Sequence, residues 1–272
     1  MSKHKLGELL GEGSFGKVYR IKDTGKVIKY IHLPPDGFHN YTEPYILLNL
    51  ENPNIMNADE IIHTGGGLMK IIQPEGIDIT RLDKKSMRND RINIYDHIKN
   101  GLTYLHSRNI LHGDLKPANI IKVGKTYKIN DFSFAMLMRS EPQKIDQIVY
   151  TSGYRAPEVN QCLVSLRSDI WAFGKTMQNI LFDREQKKRE LGKCLKMNYL
   201  ERTSFVDLNK LTFLSDSELY QKNRDLPFKN NRHQRIFCQK IRNTGKVMSC
   251  SEEYKKIENV LVSRKFNINI SG

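Results

Sequence analysis

No run of apolar residues in the 272-residue chain approaches the ~20 that a bilayer-spanning helix needs, so no membrane partner is expected. The four cysteines, Cys162, Cys194, Cys238 and Cys250, include no C-x-x-C pair and are too few to frame a chain of this length; they read as reduced thiols. The opening MSKHKLGELLG lacks the apolar core and small-residue cleavage site of a secretory signal, and an intracellular home, cytoplasm or nucleus, is the expectation. Acidic residues are scarce relative to basic ones, 30 against 44, giving a formal net charge of +14 and a pI near 9.5. The excess is concentrated from Leu181 to Gly272, where 20 basic face 11 acidic residues. Such a field suits nucleic acid, an acidic surface or a phosphorylated partner, or is simply a solvated basic face. No basic run is interleaved with aromatics, which argues against a single-strand-binding platform.

What is present divides into two patterns. Short aliphatic-rich segments at Leu6 to Leu10, Lys17 to Ile21, Lys26 to Ile31 and Leu68 to Ile72 read as strands of a small sheet, with Asp23-Thr24-Gly25 as a hairpin connection. Tyr45 to Leu50 reads as a short helix, and Gln73-Pro74-Glu75-Gly76 as a linker. Beyond it Tyr95, Ile98, Leu102 and Leu105 recur at three and four residues, predicting a helix that ends near His106. Ile170, Phe173, Met177 and Ile180 repeat that spacing. From Phe182 to Arg224 the pattern is charge-rich and reads as loops with uncertain helices. The size fits one long domain or two lobes around a cleft.

Four segments carry chemistry. Gly11-Glu12-Gly13-Ser14-Phe15-Gly16-Lys17-Val18 is a glycine-rich turn that lets backbone N–H groups approach phosphate oxygens, although such a spacing also serves dinucleotide folds or a plain hairpin. A dinucleotide fold would continue into a helix, whereas here a strand follows. That strand carries Val27-Ile28-Lys29, where alternation puts Val27 and Lys29 on one face; a strand lysine unaided is usually solvated. In His112-Gly113-Asp114-Leu115-Lys116-Pro117-Ala118-Asn119, an aspartate, a lysine and an asparagine can converge on one transferring phosphate; a capped turn is the bland reading. The strand Thr126 to Ile129 ends in Asn130-Asp131-Phe132-Ser133, where a carboxylate is well placed for a hard cation.

With Gly153-Tyr154-Arg155-Ala156-Pro157-Glu158 and Ser168-Asp169-Ile170-Trp171-Ala172-Phe173-Gly174 following in order, the chain resembles a eukaryotic-type serine/threonine protein kinase over roughly two thirds of its length. The resemblance implies an α+β bilobal fold, with a small antiparallel-sheet N-lobe over 1–72, a hinge at 73–76 and a mainly helical C-lobe over 77–272. It implies ATP with Mg2+, or Mn2+, as cofactors and protein substrates as partners. Gly11, Gly13 and Gly16 would cover the phosphates, Val18 and Val27 would sandwich adenine, and Ile121 would join the nucleotide-binding set. Lys29 would contact the α and β phosphates and Glu43 would pair with it. Asp114 would place the substrate hydroxyl, Lys116 would neutralise the γ-phosphate, and Asn119 and Asp131 would hold metal. Leu47, His112 and Phe132 resemble members of an internal apolar spine, and Thr151 the threonine that bonds the catalytic loop.

Departures from the family pattern motivate a second reading, a catalytically weak scaffold that binds partners through its basic C-lobe. Gly113 replaces an arginine that grips a phosphorylated activation loop, and Ser133 replaces a glycine. Pro44 places Glu43 at or before a helix start. Val247 stands beside Lys246 where an arginine would pair with buried Glu158, leaving Arg232, Arg235 or Arg242 as candidates. A small-molecule kinase is a third reading, against which the Thr151 to Glu158 segment resembles a platform for polypeptide. Compactness, short connections and Gly113 resemble kinases of large DNA viruses such as baculoviruses, for which a basic nucleic-acid-packaging protein would be one candidate substrate, although the positive C-lobe argues for acidic or phosphorylated targets.

Overall fold

Alternating aliphatic residues at the N-terminal end form three consecutive antiparallel strands, β1 (Leu6–Gly13), β2 (Gly16–Ile21) and β3 (Lys26–His32). Two more, β4 (Glu60–His63) and β5 (Leu68–Pro74), complete a five-stranded sheet of order β1-β2-β3-β5-β4. The sequence pattern missed β4 and ended β5 two residues early, at Ile72. One face of the sheet buries Ile21, Ile28 and Ile72, with Tyr19, Tyr30 and Ile62 packed against them. The helical residues Glu43, Ile46 and Leu47 are buried too, and the Leu47 carbonyl accepts from the Ala58 amide at 2.8 Å.

The computed structural model describes residues 4–13, 16–32, 43, 46–47, 50–63, 68–138, 140–145, 151–180 and 185–206. Among these, one unit comprises the residues up to Leu50 together with Asn57–Glu75, and a second comprises Glu51–Met56 and the residues from Gly76 onward.

In the second unit helices dominate. Helix α1 (Lys84–His106) starts where Asp83 accepts from the amides of Lys85 and Ser86, a side-chain cap for two otherwise orphaned donors. Its buried stripe contains Tyr95, Ile98, Leu102 and Leu105, the four residues whose spacing predicted it. Three short strands, β6 (Ile77–Asp78), β8 (Ile120–Val123) and β9 (Thr126–Ile129), form one small sheet. Strand β7 (Ile110–Leu111) pairs with β10 (Met136–Leu137), and β11 (Gln143–Lys144) with β12 (Leu163–Val164). Helix α2 (Leu166–Ile180) is buried nearly all round, and α3 (Glu185–Cys194) packs nearby, Tyr95 Oη donating to Glu190 at 2.8 Å. Burial raises the Cys194 thiol to about 11, so it is an inert core residue rather than a nucleophile. No helix among the described residues is long and apolar enough to cross a membrane. The basic stretch beyond residue 206, including Arg232, Arg235 and Arg242, lies outside the described residues.

Candidate active site

Register places the first set of predicted residues. Antiparallel pairing sets Val18 opposite Lys29 and Arg20 opposite Val27, and since alternate residues of a strand share a face, Val18, Val27 and Lys29 lie on one side of the sheet. Gly11 pairs with Val18, and Gly13 with Gly16, at the closed end of the β1–β2 hairpin. Gly16 is obligatory: its φ is +149°, and a Cβ there would sit 1.7 Å from the Tyr30 carbonyl oxygen. Lys29 Nζ donates to Glu43 Oε1 at 2.8 Å, and both side chains are largely removed from water. Glu43 is itself helical. The strand ammonium is thereby held in one place by a helix carboxylate, a fixed positive charge beside two valines.

The second set converges through an ordered ladder of bonds in the other unit. The base is Asp169, in the first turn of α2 and 1% exposed. It accepts from the amides of His112 (2.8 Å) and Gly113 (3.0 Å), and its Oδ2 lies 3.0 Å from His106 Nε2. Those bonds tie down the backbone just before Asp114. His112 Nδ1 accepts from the Asp114 amide at 3.2 Å while Nε2 faces the Asn130 carbonyl at 3.1 Å, an arrangement satisfied by the tautomer with its proton on Nε2. His112 and Phe132 meet edge to face, centroids 5.2 Å apart.

The Asp114 carboxylate is 5% exposed and almost fully wired. Oδ1 accepts from Thr151 Oγ1 at 2.7 Å; Oδ2 accepts from Lys116 Nζ at 2.7 Å and from Asn119 Nδ2 at 3.2 Å. Lys116 also donates to Thr151 Oγ1 at 2.7 Å, and Asn119 Nδ2 to the Asp114 carbonyl at 2.8 Å. Asp114, Lys116, Asn119 and Thr151 are thus one network. A small recess lies beside it, lined by Gly113, Asp114, Thr151, Tyr154 and Arg155 among others. A hydroxyl entering there meets a carboxylate whose orientation is already set.

Asp131 follows β9, with φ +62°, and the amide of the preceding Asn130 donates to the Asn119 carbonyl at 2.9 Å. The donor chemistry at Asn119 and Asp131 fits a small hard cation. The nitrogen of the Asn119 amide is spent on Asp114, which assigns the oxygen as the atom left for coordination, and Asp131 supplies carboxylate oxygens. Among the described residues no group of three or more His, Cys, Asp or Glu forms a metal cage. One or two protein oxygens completed by phosphates is the usual way Mg2+ is held. Ile121 sits half-buried on β8, opposite Asp78 of β6 and Lys128 of β9.

Three functional contacts escaped sequence reading. Asp169 was noted only as part of a motif, with no role. Ser133, which the sequence shows only as a replaced glycine, bonds Asp131 through its hydroxyl at 2.6 Å. Glu158 pairs with Arg202, while Arg232, Arg235 and Arg242 lie outside the described residues. The reason is proximity along the chain: Arg202 caps the short 3-10 turn Tyr199–Glu201 close after α3, which carries it to α2 and to Glu158.

A protein kinase domain model matches residues 4–267. The serine/threonine-protein kinase Nek5 of Mus musculus is 30% identical over 187 residues, covering 64% of this chain and 30% of that protein. A probable cell division protein kinase of Encephalitozoon cuniculi is 29% identical over 206 residues, covering 70% of this chain and 78% of its own. The serine/threonine-protein kinase MAK of Homo sapiens is 28% identical over 194 residues, 66% of this chain and 31% of that protein. The matched region thus spans less than a third of the mouse and human relatives.

Proposed function

The chain belongs to the protein kinase domain family, and from that premise we propose that it transfers the γ-phosphoryl group of ATP to serine or threonine hydroxyls of protein substrates. The observation that carries the proposal is the wiring of Asp114: a buried carboxylate, gripped by Thr151, Lys116 and Asn119, in a residue that lines a small recess. Phosphoryl transfer asks the protein for positioning and charge rather than covalent chemistry. Asp114 orients the incoming hydroxyl and accepts its proton, and Lys116, bonded to the same carboxylate, offsets charge on the γ-phosphoryl oxygens. Lys29, fixed by Glu43, holds the α and β phosphates, while Gly11, Gly13 and Gly16 let backbone amides close over them. Val18, Val27 and Ile121 supply apolar surface for adenine. Asn119 and Asp131 hold the divalent ion, Mg2+ with Mn2+ as a substitute, which when bound neutralises phosphate charge.

The hydroxyl class follows from the Lys116–Thr151 pairing, which resembles serine/threonine rather than tyrosine enzymes. The net charge of +14 favours acidic or phosphorylated substrates over arginine-rich ones. The test is transfer from γ-labelled ATP to arrayed Ser, Thr and Tyr peptides with acidic or arginine-rich flanks. The expected result is Ser/Thr labelling, favoured by acidic flanks, that Asp114→Asn and Lys29→Met each reduce at least ~100-fold. Labelling that survives Asp114→Asn would exclude this assignment; no labelling with intact ATP binding would favour the scaffold reading.

A further inference from the structure

Ser133 is 3% exposed and donates its hydroxyl to Asp131 Oδ1 at 2.6 Å. A buried hydroxyl without an acceptor is costly, and a carboxylate is the strongest acceptor a side chain offers; the short distance is that of a charge-assisted bond. The backbone of Asp131 is in the left-handed region, φ +62°, so its side-chain torsions are the freedom that remains to be fixed. The Ser133 bond restrains them. It uses one of the roughly four lone-pair sites of the carboxylate. A glycine at this position, as the family resemblance would have it, supplies no such donor.

We propose that Ser133 is a positioning residue for the metal-holding carboxylate: its hydroxyl sets the orientation in which Asp131 meets the divalent ion. This inference rests on the kinase reading of Asp131. Two effects of the bond oppose each other. It draws electron density from the carboxylate and weakens each metal–oxygen contact slightly; it also spares the ion the entropic cost of ordering a loose side chain. Removal of a partner that orients a metal ligand typically costs ~10–100-fold in metal affinity, so orientation wins.

The probe is Mn2+, titrated into the full chain with a non-hydrolysable ATP analogue and followed by the free-ion electron paramagnetic resonance signal. Ser133→Ala removes the hydroxyl and keeps the Cβ; Ser133→Gly removes both and serves if the alanine variant folds poorly; Ser133→Thr keeps the hydroxyl. The expected result is a Mn2+ dissociation constant raised ~10–100-fold in the alanine or glycine variant and restored to within a few-fold by threonine, with metal-free nucleotide binding unchanged. A merely structural serine would lower the melting temperature of the metal-free protein and leave Mn2+ affinity alone. Binding that Asp131→Ala abolishes but Ser133→Ala leaves untouched overturns this inference by itself. A wild-type protein that takes up no Mn2+ with nucleotide removes the underlying site and the inference with it.

Discussion

Arg202 grips Glu158 through two parallel bonds, Nη1 to Oε1 and Nη2 to Oε2, each 2.7 Å, with the arginine side chain fully excluded from water. The remaining guanidinium N–H groups go to the carbonyls of Lys196, Arg167 and Met197, so all five donors are used. The guanidinium carbon also lies 5.0 Å from the centre of the Trp171 ring, and Ser168 Oγ donates to Glu158 Oε1 at 2.7 Å. Removing one partner of such a pair leaves an uncompensated buried charge. Arg202→Met should therefore cost about 3–5 kcal/mol in urea denaturation. Arg202→Lys should recover little, because a single ammonium cannot reproduce the planar fork. A loss below about 1 kcal/mol for the methionine variant would show the pair to be energetically idle.

Restoring the arginine that Gly113 displaces should harm the protein rather than make it responsive to loop phosphorylation. Gly113 has φ +82°, and any Cβ there would lie 2.6 Å from the backbone oxygen of Phe134. Its amide is committed to Asp169. Backbone strain alone costs about 1–3 kcal/mol, and the clash adds to it. Gly113→Arg should lower the melting temperature and reduce transfer activity, with no recovery after treatment with an activating kinase. A variant as stable as the parent would contradict this account.

Local periodicity made much of this architecture legible, and its absence hid the rest. The stripe Tyr95, Ile98, Leu102, Leu105 is an intrinsic helical repeat that marks the C-terminal end of α1 at His106 but not its start at Lys84, and Thr126–Ile129 is an alternating strand that emerged with both ends. Helix α3 did not, because within EQKKRELGKC the buried residues among the described side chains are Leu191 and Cys194, and the charges mask so short a stripe. Strand β4, four residues long, takes its place from pairing with β5 rather than from its own pattern. Asp114, Lys116 and Asn119 could be grouped on paper because they lie within six residues of one another, whereas Thr151, 37 residues from Asp114, joins them in the sequence only through the family resemblance. The Glu158–Arg202 contact could not, since its partners lie 44 residues apart and several arginines compete on paper.

Thr151 joins the proposed catalytic carboxylate to the proposed catalytic ammonium, donating to Asp114 and accepting from Lys116, each at 2.7 Å. Hydrogen bonds to charged groups contribute about 1.5–3 kcal/mol, which corresponds to about 10–150-fold in rate if the loss falls on the transition state. Thr151→Ala and Thr151→Val should lower kcat by that factor with little change in KM for ATP, and Thr151→Ser should retain most activity. If the loss appears in KM for ATP with kcat preserved, Thr151 acts on nucleotide binding and not on the carboxylate.

The acid limb of stability should carry the signature of Asp90 in α1. Its Oδ2 accepts from Lys122 Nζ at 2.7 Å and from the Tyr127 hydroxyl, and the Tyr127 ring is 1% exposed. The Lys122 bond first, and the Tyr127 bond second, hold the Asp90 carboxyl below its ordinary range, with burial opposing them. In the unfolded chain the same group titrates near about 4. Because the folded value is the lower one, the unfolded state takes up the proton first. The carboxylate's contribution is therefore complete above about 4 and is lost as pH falls through the folded value. At the opposite limb Tyr127, raised to about 12 by burial and then by Asp90, contributes stability that is lost only as pH rises toward that value. Comparing Asp90→Asn with the parent by urea denaturation from pH 7 down to pH 3 should show a stability gap that is constant to about pH 5 and then narrows. A gap that stays the same across that range would mean that the Lys122 and Tyr127 bonds do not depend on the carboxylate's charge.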